Sequence, residues 1–521
     1  MKKIRIVLWL MLIPIFGMNC TNTENTEISE NTIIINTQEA KDTINKNIYG
    51  HFAEHLGRCI YDGIWVGEDS PIPNIKGYRK DVVDALKEIE IPVLRWPGGC
   101  FADAYHWKDG IGPREERPPM LNIFWGHVVE DNSFGTHEFL DLCELLGTDA
   151  YLAVNVGSGA PQEALEWVQY VTGDDDNPMA QLRRKNGREE PWDVKFWGIG
   201  NENWGCGGNM TASYYADLYK RFATYCQVDQ KIASGGLNHD MEWTETLMQK
   251  TKNYQHLIQG MSYHHYTVCH TWESKGSATD FTEEDWFSTL SKNMEMEENL
   301  VGHITIMDKY DPEKKIGLLA DEWGNWHDAE PGTNPGFLYQ QNTLRDALTA
   351  SIYLNVFNNH CDRVTMANIA QTVNVLQAMV LTEGDKMVKT PTFHIFNMYK
   401  VHQDALLMPL TISCNDYTLG ETSIPTLSAS ASKDDDGTIN LTVANVDPHK
   451  AVDFKVSLDD ESNPKVITGM IVTGDEMNSH NDFDNQNVIT QEEFKDYSIE
   501  GKELTVIIPS KSVIRLALVT K

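Results

Sequence analysis

Apolar residues along this chain fall into two textures that change near residue 405. From about residue 47 to 400, short apolar runs alternate with stretches in helical period. Eight runs, at 48–54, 92–96, 150–156, 194–200, 231–235, 260–266, 316–322 and 363–370, predict buried parallel strands bounded by turn residues. Helices are predicted between them. Val82, Ala85, Leu86 and Ile89 give the segment 78–90 one apolar face. Residues 139–146 stop at Gly147, suited to a left-handed helix end, and Thr211 is placed to cap a helix through Tyr215, Leu218 and Phe222. Eight strand–helix units in about 350 residues predict an α/β fold, a (β/α)8 TIM barrel with insertions. An open doubly wound sheet would need a Gly-rich phosphate loop after its first strand, and this chain has none there.

Beyond residue 405 the texture changes. Residues 428–433, 438–446, 451–456, 504–508 and 513–519 read as antiparallel strands, with Asp436-Gly437 as a hairpin turn. They predict a jelly-roll-like β-sandwich over 405–521, to which 32–36 adds a strand. The acidic, Asn-rich stretch 474–491 is expected as a surface loop. The predicted organisation is a signal at 1–20, a tether and joining strand at 21–46, a catalytic barrel at 47–404 and the sandwich at 405–521.

Composition then narrows the partners. A formal net charge of −33 repels polyanions, which sets nucleic acid aside. At the start, Lys2, Lys3 and Arg5 precede an apolar run at 6–16, then Cys20 and a polar stretch at 21–30. That order resembles a bacterial lipoprotein signal, although Met18 and Asn19 stand where small residues are usual. It predicts export to the periplasm or cell envelope, with membrane attachment through a lipid on Cys20. Cys59, Cys100, Cys143, Cys206, Cys226, Cys269, Cys361 and Cys414 form no CxxC pair, so most are expected as buried free thiols.

In a TIM barrel the working residues lie at the C-terminal ends of the strands. The fourth predicted strand ends in Gly200-Asn201-Glu202-Asn203 and the seventh in Asp321-Glu322-Trp323. Glycoside hydrolysis with retention needs two carboxyl groups about 5–5.5 Å apart, one as nucleophile and one as acid/base. A lone Asn-Glu pair is more often a turn or a cap; two Glu-bearing strand ends across one barrel mouth are specific. His51-Phe52-Ala53-Glu54-His55 fits a zinc-protease pattern, but that mechanism needs a helix, and Ile48-Tyr49-Gly50 before it indicates a strand. No metal and no cofactor are expected.

These blocks resemble the family 51 α-L-arabinofuranosidases. The resemblance runs through 47–61, Arg95-Trp96-Pro97-Gly98-Gly99, the Glu202 block, Tyr263-His264-His265-Tyr266, the Glu322 block and Ala370-Gln371-Thr372-Val373-Asn374-Val375. It implies Glu202 as acid/base, Glu322 as nucleophile, and Glu54, Asn201, Tyr266 and Gln371 as ligands of the furanose hydroxyls. Arg95 and His264 are implied as supporting groups. Cys100 stands where many members carry a sugar-binding Asn, and is expected to line the pocket as a thiol. The activity implied is release of terminal α-L-arabinofuranosyl groups from arabinose-containing glycans, with a homo-oligomer compatible with it. The alternatives are an endoglucanase or xylosidase of the same barrel clan and an inert glycan-binding surface protein. A closed pocket would favour the first reading, and an open cleft a polymer-cutting enzyme.

Overall fold

The computed structural model describes residues 31–460 and 462–520. Eight strands close a parallel barrel, each paired with the next in chain order. They are β1 (Gly50–Phe52), β2 (Val93–Trp96), β3 (Asp149–Val154) and β4 (Phe196–Ile199). Then come β5 (Gln230–Ala233), β6 (Gly260–Thr267), β7 (Gly317–Asn325) and β8 (Val364–Ala370). All eight lie within or beside the predicted runs, and the (β/α)8 barrel with a sandwich behind it is the fold. The lumen is filled by Val93, Tyr151, Ile232, Leu319 and Met366, so the barrel is a packed core rather than a pore.

Local chemistry explains where elements begin and stop. The run at 48–54 yields only a short strand, because Asn45 accepts a hydrogen bond from Asn47 N and starts a 3-10 turn over Lys46–Tyr49. Gly147, with φ of 74°, ends the helix Thr136–Leu146 in the left-handed region that a side chain would disfavour. Thr211 accepts from Tyr214 N at the head of Ala212–Tyr225. β6 and β7 run past the other strands, and pairing shifts between Ser262 and His264 and between Ala320 and Trp323. Such irregularities re-aim side chains at a barrel rim.

The C-terminal part forms two antiparallel-dominated sheets of five and six strands. Leu427–Lys433 and Ile439–Asn445 make the hairpin around Gly437. Thr32–Ile35 lies in the five-stranded sheet, antiparallel to Leu410–Ser413 and parallel to Val452–Leu458. The sandwich covers the barrel helix Leu344–Asn359, in which every residue from Leu344 to Asn358 is buried. A helix buried all round needs partners for its polar groups. Asn355 and Asn358 find them in Ser428 and Ser430 of the sandwich. The 474–491 stretch is more than a surface loop. Asn481 and Ile489 are fully buried, and Ser479 and Asn481 carbonyls accept bonds from Leu344 N and Gln341 Nε2 of the barrel.

Arg363 anchors the opposite end of the barrel from the mouth, just before β8. Its buried guanidinium donates to Asp311 Oδ2 at 2.8 Å, to the Asp311 carbonyl at 2.8 Å and to the Ile316 carbonyl at 2.9 Å. Arg363→Met leaves Asp311 buried without its cation, and we expect it to cost about 3–5 kcal/mol. Urea denaturation should show a lower midpoint, while kcat per folded molecule stays at the wild-type value.

Candidate active site

The C-terminal ends of β1, β2, β4, β6, β7 and β8 converge on one small pocket, lined among others by Glu54, Gly99, Cys100, Trp125, Glu202, Tyr266, Glu322, Trp326, Leu338 and Gln371. A far larger cavity, about 930 Å³, opens at the other mouth around Phe196, Gly260 and Gly317. It lies at the strand starts, away from Glu202 and Glu322, so volume does not locate the chemistry.

Glu202 follows β4 through Gly200, at φ 86°, and itself sits at φ 40°. That left-handed conformation is uncommon for a residue with a Cβ. It is held by a turn in which Gly205 N and Gly207 N donate to the Glu202 carbonyl, at 2.7 and 3.1 Å. Glu322 projects from β7. Arg95 Nη1 donates to its Oε1 at 2.7 Å, and Tyr266 OH donates to its Oε2 at 2.8 Å. Arg95 Nη2 donates to Asn201 Oδ1 at 2.6 Å, so one guanidinium orients both residues. Gly98 and Gly99 are required here by space alone. A Cβ would meet Glu54 at 2.8 Å in the first case and Glu322 Oε1 at 2.8 Å in the second.

His264 sits between the two carboxylates. Its Nδ1 is 2.8 Å from Glu202 Oε1 and 3.5 Å from Glu322 Oε2, and its Nε2 is 3.1 Å from Asp321 Oδ1. Burial alone would pull its pKa down, but the Glu322 charge and the bonds to Asp321 and Glu202 carry it up to about 10. It is therefore an imidazolium at neutral pH. Burial would raise Asp321, yet Arg95 and His264 hold it below the ordinary aspartate range. Burial lifts Glu202 above the usual carboxylate range, with His264 opposing. One oxygen of each of Glu202 and Glu322, with a His264 nitrogen, lie within 4.8 Å of one another. That is the close pairing of a retaining glycosidase, not the about 6.5–9.5 Å of an inverting one.

Around the pair stand groups for a hydroxyl-rich ligand. Glu54 accepts from Phe101 N at 3.0 Å, Trp125 Nε1 at 2.9 Å and Gln371 Nε2 at 3.0 Å. Burial and the Glu322 charge push its pKa up to about 7. Asn201 Nδ2 and Gln371 Oε1 are buried with no protein partner among the described residues. Unspent donors and acceptors on a pocket wall suit sugar hydroxyls.

Comparisons with known proteins agree with this geometry. Residues 85–284 match the α-L-arabinofuranosidase 1 domain and residues 321–512 the α-L-arabinofuranosidase C-terminal domain. An intracellular exo-α-L-arabinofuranosidase of Bacteroides ovatus is 52% identical over 94% of this chain and 95% of its own. The chain belongs to the glycoside hydrolase family 51 α-L-arabinofuranosidases. A crystal structure of the family 51 arabinofuranosidase from Xanthomonas axonopodis pv. citri superposes with a TM-score of 0.92, at 45% identity, covering 94% of this chain and 100% of that one. The arabinose complex of the Thermotoga maritima enzyme superposes with a TM-score of 0.83 at 31% identity, covering 94% and 100%.

Two expectations are corrected. Export with a lipid on Cys20 is overturned by the Bacteroides ovatus relative, which is named intracellular although it aligns with 94% of this chain. The leader lies outside the described residues, and Met18 and Asn19 break the small-residue pattern that lipoprotein processing reads. Cys100 is not a free thiol. It is joined to Cys206, four residues after Glu202, with Cα atoms 5.5 Å apart. The turn after β2 and the loop after β4 meet there, which irregular cysteine spacing could not reveal. Six other described cysteines are free.

This arabinofuranosidase site also uses residues that pattern reading passed over. Asp321 was visible in its motif, and its role appears only through its contacts with His264, Arg95 and Tyr151. Asp103 ties three loops, accepting from Val156 N and Gly157 N at 2.7 Å and from Asn201 N at 2.9 Å. No sequence signal marks it. His51 packs against Phe396, and His55 against Trp96 and Phe101. Burial pushes both down to about 3, and neither joins a metal-capable cluster among the described residues.

Two outcomes follow from this electrostatic layout. Turnover should survive exhaustive EDTA and a stronger zinc chelator; a loss that zinc restores would reinstate the zinc reading. His264→Asn removes the cation that opposes the upward shift of Glu202. The alkaline limb of the kcat/KM profile should move to higher pH, by on the order of one unit, while kcat falls. A limb that stays put would mean that another group sets it.

Proposed function

We propose that Glu202 is the general acid/base and Glu322 the nucleophile of retaining exo-hydrolysis, releasing terminal non-reducing α-L-arabinofuranosyl groups. The observation that carries the assignment is the pair of carboxylates within 4.8 Å at the ends of β4 and β7. They differ in surroundings. Glu322 is met by the Arg95 guanidinium and the Tyr266 hydroxyl, donors that suit an attacking carboxylate. Glu202 is shifted upward by burial, as a proton donor to the leaving group must be.

In the first step Glu322 Oε attacks the anomeric carbon while Glu202 gives its proton to the departing glycosidic oxygen. In the second Glu202, now a carboxylate, takes a proton from water, which attacks the same carbon and frees Glu322. Glu54, Asn201, Tyr266 and Gln371 hold the furanose. Asn201, beside the acid/base, is placed for the 2-hydroxyl, where hydrogen bonds strengthen in the transition state.

Trp125, Trp326 and Leu338 line a small pocket beside the two carboxylates, which supports an exo enzyme acting on a terminal ring over one with a long polymer-binding cleft. The presence of both carboxylates supports an enzyme over an inert binding protein. We place its action inside the cell, as the name of the Bacteroides ovatus protein states for that relative. Arabinose-bearing oligosaccharides small enough to be taken up are then the substrates.

The two roles separate on variants. Glu322→Ala should abolish turnover of every substrate. Glu202→Ala should slow poor leaving groups by roughly 10²–10⁴ while nearly sparing the first step with an activated phenol. Azide, which needs no base, should then rescue turnover and give an azide product of retained configuration. An inverted azide adduct from Glu202→Ala would exchange the roles.

A further inference from the structure

The Cys100–Cys206 pair has a bearing on Glu202 beyond holding two loops together. The two oxygens of Glu202 have different neighbours. Oε1 takes the hydrogen bond from His264, and Oε2 lies 3.5 Å from Cys206 Sγ. In the disulfide that sulfur has no proton to donate and little basicity. A reducing dithiol changes this. The S–S bond breaks, two electrons and two protons enter, two thiols form, and the dithiol leaves as its own disulfide. An intracellular compartment keeps thiols reduced, and disulfides found there tend to be reactive rather than structural.

We propose that the reduced Cys100 and Cys206 thiols, with Glu202 Oε2, form a binding site for a thiophilic divalent cation such as zinc, and that its occupation switches the enzyme off. Sulfur atoms of both cysteines and an oxygen of Glu202 already lie within 4.8 Å of one another. Tetrahedral zinc, with bonds of about 2.3 Å to sulfur and about 2.0 Å to oxygen, sets a sulfur–oxygen edge of about 3.5 Å. That edge is the spacing from Cys206 Sγ to Glu202 Oε2. The two sulfurs must part to about 3.7 Å. Rotation about the Cα–Cβ bonds allows it, since the Cα atoms are 5.5 Å apart. All three residues are half-buried, so the pocket gives an ion access and leaves its fourth position to solvent.

Binding replaces the proton of Glu202 with the metal and releases the two thiol protons to solvent. Without that proton the leaving group is not assisted. The inhibition readout rests on the functional assignment above, whereas the binding readout does not.

The test uses the whole protein, oxidised or reduced with a phosphine and desalted without oxygen. Zinc chloride is titrated while aryl arabinofuranoside hydrolysis and bound zinc per chain are both measured. The reduced protein should bind one equivalent, and its rate should fall as the ion binds. Its apparent inhibition constant should lie at least about tenfold below that of the oxidised protein, and EDTA should restore activity. Cys206→Ser and Cys100→Ser, each judged against its own zinc-free rate, should lose the response. Equal inhibition of both redox forms, or one bound zinc that leaves turnover unchanged, overturns the proposal. So does a response that persists in Cys206→Ser and disappears in Cys269→Ala, which places the ion at Cys269, His270 and Asp285 instead. If no form hydrolyses arabinofuranosides, the functional assignment fails, while zinc stoichiometry still decides the site.

Discussion

Burying charge is expensive, and the mouth of this barrel buries Glu54, Asp321, Glu322, Arg95 and His264 side by side. Such a cluster survives only when each charge is met by an opposite one and by directed hydrogen bonds. Arg95 meets Glu322, Asp321 and the Asn201 amide; His264 meets Glu202, Asp321 and Glu322. Asp321 lies against both cations and shares their charge with Glu202 and Glu322. The remaining features of the site preserve that balance. Gly98 and Gly99 clear room for the carboxylates, and Tyr266 supplies Glu322 with a neutral donor where a further cation would overcompensate.

The scaffold holds these groups to their positions from behind. β6 and β7 carry His264, Tyr266, Asp321 and Glu322 on extended, fully buried strands, while the irregular pairing near Ala320 and Ser262 turns their ends into the mouth. Glu202 lies just past the end of β4, in a loop rather than in the strand itself. It depends on Asp103, on the internal turn around Gly205 and Gly207, and on the bond from Cys206 to Cys100. One carboxylate is thus set by the barrel and the other by a fastened loop.

Much of this was legible before any coordinates. The barrel could be read because buried parallel strands are continuous apolar runs with turn residues at each end. The candidate site could be proposed because strand ends concentrate such residues: Glu54, Asn201, Glu202, Tyr266, Glu322 and Gln371 all fall at or near them. What stayed hidden depends on contacts between distant segments. Asp103 and Cys206 matter through partners about a hundred residues away, and neither sits in a pattern of its own. The strands Leu410–Ser413, Pro464–Val472 and Tyr497–Glu500 carry mixed, half-exposed sequences whose pairing is set by the sheet they join. The leader misled for the opposite reason. Its basic and apolar order is a strong local pattern, yet the similar Bacteroides ovatus protein is named intracellular.

The strand Thr32–Ile35 has a consequence for how the molecule is made. It leaves the ribosome before any barrel strand, yet it is flanked in its sheet by Leu410–Ser413 and Val452–Leu458. Asn36, at its end, bonds to Thr411, 375 residues further on. At about 5–20 residues per second that partner arrives roughly 20–75 s later. Throughout that interval Ile33 and Ile35, fully buried in the finished protein, have no sheet to enter. The barrel can close around its own strands first, but the five-stranded sheet is completed only when Leu410–Ser413 and Val452–Leu458 reach Thr32–Ile35. That sheet therefore joins one early segment to two late ones, and it cannot assemble until most of the barrel has already been made.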